Sequence, residues 1–340
     1  MKFILSIDTE ADNQWDHGRE LSVENLKYIP RLQALCNRFG IKPTYLVTSE
    51  VCYDDYARSL FSDLIKHDTA EIGAHLHCWT TPPFKDRDGF RKNDPNHAFA
   101  SELPEELVEA KISGLTQEIT KAFGKKPTSF RSGRYGFNDT IARILIHNGY
   151  VVDSSITPFI SWAEHAGLPG GKGGPDFIKK TPFPEMIEAE EGRLVEIPVT
   201  ILPTLPPLNL SNAIAGYYFS HVDKSFILKI FRKLFYSNQP LWLRPFPWMN
   251  TAKYHHLIKQ GSKIKLPFLV MMFHSSELMP GGSKYRPDEK SIESLFLELE
   301  SLFRLLEEQK IEGISLTEAA HLFQSDHPLM VSNDTGKPTT

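Results

Sequence analysis

The strongest constraint on the fold is an alternation: short apolar runs, each closed by a polar side chain, take turns with segments of helical periodicity. A strand buried on both faces reads as a continuous apolar run, so this order predicts parallel strands joined by crossover helices in an α/β chain. The runs span 3–7 ending at Asp8, 43–47 ending at Thr48, 71–74 ending at His75, and 128–130 ending at Arg131. Further runs cover 150–152 ending at Asp153, 195–202, 241–243, 267–273 ending at His274, and 313–316.

Between them, Val108, Ile112, Leu115, Ile119 and Phe123 keep the spacing of one helix face, with Pro104 in the first turn and Gly124 past the end. Ile292, Leu295, Leu299, Leu302 and Leu306 repeat that stripe. Residues 22–39 are helical in pattern, but Pro30 predicts a kink or a late start, since proline lacks the donor and clashes one turn back. The Gly- and Pro-rich stretch 158–207 predicts a long surface excursion without a second core, and the polar tail 325–340 predicts disorder. Residues 1–324 are then one barrel-sized domain.

Charge narrows the partners. Lys plus Arg number 38 against 42 Asp plus Glu, a net charge of −4 with no like-charge run, which speaks against nucleic acid. Three cysteines without CxxC spacing make neither a disulfide framework nor a thiolate zinc site. No apolar stretch reaches the ~20 residues of a transmembrane span, and the opening run is too short for a signal peptide, so a cytoplasmic location is expected.

In parallel α/β barrels chemistry sits at the carboxyl ends of the strands, where Asp8, His75, Arg131, Asp153 and His274 all stand. One such residue is as readily a cap or a loop former; five on five strands point to one mouth. If the third strand continues through Leu76, His75 and His77 face the same side, a spacing that suits a divalent metal, zinc first and Co, Mn or Ni after it. Asp8 and Glu10 repeat the geometry as two carboxylates, one able to bind metal and the other to take a proton. Trp79 and Trp248, in Pro-rich loops, are candidates for stacking on sugar rings. Arg134 and Glu277 are placed either against substrate or in solvent, and Asp153 either in a turn or behind Arg131.

These motifs, Ser6-Ile7-Asp8-Thr9-Glu10, residues 71–77, Phe130-Arg131-Ser132-Gly133-Arg134-Tyr135-Gly136, Val152-Asp153-Ser154-Ser155 and residues 273–278, resemble in order the NodB-type polysaccharide deacetylases of carbohydrate esterase family four, in particular the WalW-like branch. The resemblance implies a distorted TIM-like (β/α) barrel and metal-assisted removal of an N-acetyl or related acyl group from a sugar. It implies Asp8 as general base, Arg131 as its partner, Tyr135 as the residue whose backbone N–H faces the oxyanion, and His274 as general acid. Glu10 and His75 match metal ligands. The family pattern has adjacent aspartates in the first motif and a second histidine four residues after the first. Thr9 and Trp79 occupy those positions here, and Glu10 and His77 are expected to substitute.

Three functions stay open on the sequence: a deacetylase for a cell-wall or lipopolysaccharide-type glycan or its intracellular precursor, an allantoinase-like amidohydrolase, and a glycan-binding protein without catalysis. Trp79 at a ligand position favours the last. A serine hydrolase is disfavoured by the absence of a Gly-x-Ser-x-Gly elbow. The oligomeric state is left open.

Overall fold

The computed structural model describes residues 1–14, 20–84, 97–203 and 240–327. The apolar runs become strands β1 (Lys2–Thr9), β2 (Thr44–Val47), β3 (Glu71–Leu76), β4 (Ser129–Ser132) and β5 (Val152–Asp153). After these come β6 (Glu185–Ala189), β7 (Gly192–Glu196), β8 (Ile201–Leu202), β9 (Leu241–Trp242) and β10 (Phe268–His274). One eight-stranded sheet runs β10-β1-β2-β3-β4-β5-β7-β6, parallel throughout except for the β6–β7 hairpin, while β8 and β9 pair antiparallel beside it. The sheet curls into a half-barrel, with the parallel strands that the alternation predicts in the distorted barrel that the resemblance implies. Beyond β7 the chain crosses to the opposite edge, where the Thr200 N–H donates to the Val270 carbonyl at 3.1 Å.

Side chains alternate across each strand, so one face meets the helices and the other the barrel interior. Phe3, Leu5 and Ile7 of β1, Leu269, Met271 and Phe273 of β10, and Ile72, Ala74 and Leu76 of β3 join the main apolar core under the helices. Ile4, Leu46, Val152, Val195, Phe268 and Val270 form a second cluster with Leu316, Ala319 and Ala320, which plugs the barrel at the strand starts. Further along the inward rows of β1 and β3 the side chains turn polar, at Ser6 and Asp8 and at His75, and there the site begins. Gly73 is required at this turnover, because a Cβ on it would lie 2.2 Å from Ser129 Oγ and 2.6 Å from Leu46 Cδ2.

Both helical stripes are buried as expected, in helices Glu105–Phe123, closed by Gly124 at φ 73°, and Glu289–Glu308. Pro30 falls in the first turn of helix Ile29–Arg38, after a 3-10 turn at Glu24–Tyr28. The helix therefore starts late, where a missing N–H costs nothing.

Three expectations need correction. The run 195–202 is not one strand: Pro198 cannot donate to a ladder, and pairing stops at Glu196 before resuming at Ile201. Residues 313–316 make a single bridge, from Gly313 to Phe3, because Ser315 and Glu318 form a capping box that starts helix Leu316–Asp326. The stretch 158–207 is not all surface excursion, since the β6–β7 hairpin within it extends the main sheet and buries Leu194, Val195 and Glu196. The last helix carries order through Asp326, past the expected start of the tail at 325; residues 204–207 and 328–340 lie outside the described residues. Cys36, Cys52 and Cys78 are buried free thiols. Among the described residues no helix is long and apolar enough to cross a membrane.

Candidate active site

Parallel register sets the strand-end residues level with one another: Asp8 pairs with His274 across β1 and β10, and His75 with Arg131 across β3 and β4. β3 does run through Leu76, so His75 and His77 point to the same side. Gly133 leaves room for the second ring; a Cβ there would sit 2.4 Å from His77 Cδ2.

Glu10, His75 and His77 offer ligand atoms that all lie within 4.8 Å of one another. Glu10 Oε2 is 3.7 Å from His75 Nε2 and 3.3 Å from His77 Nε2. Each imidazole has an acceptor at its other nitrogen: the Arg131 carbonyl 2.9 Å from His75 Nδ1, and Gln14 Oε1 2.7 Å from His77 Nδ1. With the proton on Nδ1, both Nε2 lone pairs face Glu10. Burial, and then the neighbouring His75, hold the His77 pKa well below its ordinary value, so its ring is neutral as a ligand must be. Two imidazoles and a carboxylate with open positions fit a divalent cation of the first transition row.

Asp8 stands beside this cluster, its Oδ2 3.9 Å from His75 Nε2. Arg131 Nη1 donates to Asp8 Oδ1 at 2.6 Å, while the rest of the fully buried guanidinium is held by the Ser154 carbonyl, Ser154 Oγ and Ser6 Oγ. Burial alone would push the Asp8 carboxyl up; the Arg131 charge, with His75 and His274, outweighs it and holds the pKa below the ordinary value. Asp8 is ionised at neutral pH.

On the far side His274 Nε2 lies 4.0 Å from Asp8 Oδ2. Its Nδ1 is 2.9 Å from Arg244 Nη2 and 3.3 Å from Glu277 Oε1. Burial and the Arg244 charge oppose the imidazolium, but Glu10, the Glu277 hydrogen bond and Asp8 together raise the His274 pKa. Glu277 is buried; Arg244 and then His274 overcome that burial and bring its carboxyl down to about 2. Glu277 therefore serves His274 rather than solvent. Arg244 was not among the expected residues, although it too ends a short apolar run, at 241–243.

Other expected residues sit differently. Trp79 is 2% exposed, stacks on His77 at 4.4 Å and donates from Nε1 to the Gln14 carbonyl, so it backs the metal cluster and has no free face for a sugar. Arg134 is spent on the carbonyls of His97 and Ala166 and lies over the Phe99 ring at 3.9 Å, which makes it a brace between loops and not a substrate contact. Asp153 does not bond Arg131. Its carboxylate accepts from Ser155 N and Oγ and from Glu196, and burial pushes both acids up, so that Glu196 is the protonated partner. Asp153 thus meets Arg131 by charge and through the Ser154–Ser155 turn, without a hydrogen bond between them. Arg134 and Tyr135 both hold left-handed backbone, at φ 53° and 61°, a strained turn set at the site. The Tyr135 ring stacks on Trp162 at 5.3 Å. Trp248 is 54% exposed and stacks flat on Phe246 at 4.5 Å, with the Arg244 guanidinium 5.1 Å from that ring on its way to His274.

No protein-family model and no curated protein matches the chain. Solved structures do. A Mycobacterium smegmatis protein described as a polysaccharide deacetylase superposes at a TM-score of 0.54 and 12% identity, covering 100% of this chain and 94% of its own. A 4-alpha-glucanotransferase from Thermococcus litoralis gives the same TM-score and identity over 94% of this chain, but this chain spans only 40% of it. At such identities the likeness is one of fold. In fold, then, the chain is similar from end to end to a protein described as a polysaccharide deacetylase.

Proposed function

We propose that this protein is a metal-dependent hydrolase that removes an acetyl or other N-acyl group from a sugar of a cell-wall or lipopolysaccharide-type glycan or its precursor. The observation that carries the reading is the convergence of Glu10, His75 and His77 beside the Asp8–Arg131 pair, with His274 4.0 Å from Asp8. The likeness in fold to the M. smegmatis protein supports the substrate class. Glu10, His75 and His77 would hold the cation, most simply Zn2+ with Co2+, Mn2+ or Ni2+ as alternatives, and it would supply Lewis acidity toward water and an acyl carbonyl.

Asp8 takes the proton from the attacking water, since Arg131 keeps it ionised and oriented. The backbone N–H of Tyr135 is the donor for the developing oxyanion. His274 delivers a proton from Nε2 to the departing amine; the charged ring keeps its second N–H on Nδ1, where the Glu277 carboxylate accepts it, so the transferable proton is the one that faces the site. Trp248 offers its exposed face to a sugar ring of the substrate. The reading of a binder without metal leaned on Trp79, and the place of Trp79 behind His77, rather than among the ligands, weakens it.

The test is an acetate-release screen over N-acetylated sugars, nucleotide sugars and lipid-linked oligosaccharides with Zn2+, Co2+, Mn2+ and Ni2+. Asp8→Asn abolishes release and keeps the metal, whereas His75→Ala loses both. Full activity in Asp8→Asn excludes Asp8 as base, and no release from any N-acylated sugar with any of the four metals overturns the assignment.

A further inference from the structure

His77 is gripped from behind by residues of three different strand ends. Its Nδ1 meets Gln14 Oε1 at 2.7 Å, and Gln14 Nε2 donates in turn to Glu50 Oε1. Trp79 Nε1 holds the Gln14 carbonyl at 3.3 Å, and its indole lies 18° from parallel with the imidazole. Gln14 follows β1, Glu50 follows β2 and His77 follows β3, and Gln14 is 3% exposed. Water does not supply alternative partners to an amide buried this deeply.

With Glu50 ionised the donors and acceptors have one consistent arrangement. A carboxylate only accepts, so Glu50 takes the NH2 end of the amide and the oxygen is left for His77. Nδ1 must donate to that oxygen, and the neutral ring carries its lone pair on Nε2, 3.3 Å from Glu10 Oε2. We infer that Gln14, oriented by Glu50, is a positioning residue that selects the tautomer of His77 and with it the capacity of Glu10, His75 and His77 for a divalent cation. This rests on the metal site of the proposed function and adds to it residues that touch neither cation nor substrate. Partners of this kind raise metal affinity by fixing ring orientation and tautomer. Gln14 does so without adding charge, so Glu10 remains the anionic ligand of the set.

The opposite arrangement is equally definite. A protonated Glu50 would donate to Gln14, turn the amide round, and leave its NH2 facing Nδ1; the His77 proton would then sit on Nε2 and block the ligand position. Burial, with the Glu10 charge behind it, raises the Glu50 pKa toward that neutral acid, while the hydrogen bond from Gln14 favours the carboxylate.

Long-range 1H–15N spectra of the metal-free wild-type protein read the tautomer directly, and zinc titration against a competing chelator reads affinity in wild type and Gln14→Leu. The expected result is a proton on Nδ1 of His77 in wild type, loss of that signature in Gln14→Leu, and zinc affinity about 10- to 100-fold weaker in the variant. A wild-type proton on Nε2 overturns the inference, as does a Gln14→Leu protein that binds zinc as tightly as wild type. If Gln14→Leu does not fold, the wild-type tautomer decides alone. A wild-type protein with the Nδ1 proton but no zinc affinity sinks the metal site of the proposed function and leaves the relay standing.

Discussion

Arg244 Nη2 lies 2.9 Å from His274 Nδ1 and 2.6 Å from Glu277 Oε1, so a single guanidinium nitrogen meets both the imidazole and its neighbouring carboxylate. Arg244 leaves β9, outside the main sheet, and reaches the mouth from a different direction than the strand-end residues. It lies against the His274 ring while balancing the buried Glu277.

Two effects of Arg244 can be separated. Arg244→Met strands Glu277 in the interior, and removing one partner of a buried ion pair typically costs about 3–5 kcal/mol. Glu277→Gln in the same chain relieves that charge. The double variant is therefore expected to recover most of the thermal stability while turnover stays depressed, because His274 is then without the Glu277 carboxylate that favours its charged form. Recovery of turnover along with stability would show that Arg244 serves only to neutralise Glu277.

His274 gives the pH dependence a definite sign. Without metal its pKa lies above the ordinary 6.5, with burial opposing and Glu10 the largest of the raising influences. Stability from the charged ring is complete below the unfolded value and is lost as pH rises through the folded one. A cation on Glu10 cancels the attraction of that carboxylate. Zinc is thus expected to lower the His274 pKa and to move the alkaline limb of activity toward lower pH, as seen by NMR titration with and without zinc. A pKa that zinc leaves in place would mean that Glu10 does not take the cation.

What the sequence showed of this site depended on period-two geometry. Asp8 and Glu10, and His75 and His77, could be placed on shared faces because residues i and i+2 of a strand cannot avoid it. Arg131 could be placed because it closes its apolar run and lies one residue before the end of β4. Arg244 obeys the same rule at 241–243, yet a run of three residues hardly differs from a loop. Trp79 and Arg134 failed for another reason: whether an aromatic in a Pro-rich loop faces solvent, or an arginine faces substrate, is decided by distant chain. Gln14, 65 residues from Trp79, and the carbonyls of His97 and Ala166 settle those two positions. The β6–β7 hairpin was hidden by its Gly- and Pro-rich flanks, although Gly192 marks its turn.

Trp248 tests the substrate class. Its ring is exposed, braced from beneath by Phe246 and edge-on by Tyr285, and so offers a rigid flat face at low entropic cost. If a sugar ring stacks there, Trp248→Ala removes on the order of 1 kcal/mol of binding, about fivefold in KM for an oligosaccharide. A single N-acetylated sugar, bound at Asp8 and His274, should show little change. Equal losses on the monosaccharide and the oligosaccharide would place Trp248 outside the path of the chain.

Lys111 supplies a prediction for the fold itself. It is fully buried, donates to the carbonyls of Thr81 and Pro83, and lies 4.9 Å from the centre of the Phe84 ring, so it ties down the loop that follows His77. Burial brings its pKa down to about 8 from 10.5. Between these values the unfolded chain binds a proton that the folded chain does not, so stability rises with pH across that window; below it both states are protonated and the slope vanishes. Lys111→Met removes the titration and leaves two buried carbonyls short of a donor, a cost of about 1–3 kcal/mol each. Urea unfolding of both proteins from pH 7 to 10.5 isolates the residue, because every other group cancels in the difference. The wild-type advantage should be flat up to pH 7.5 and then climb by at most about 1.4 kcal/mol per pH unit. A difference that stays flat to pH 10.5 would mean that the ammonium keeps its proton in the folded state, solvated or paired well enough to offset its burial.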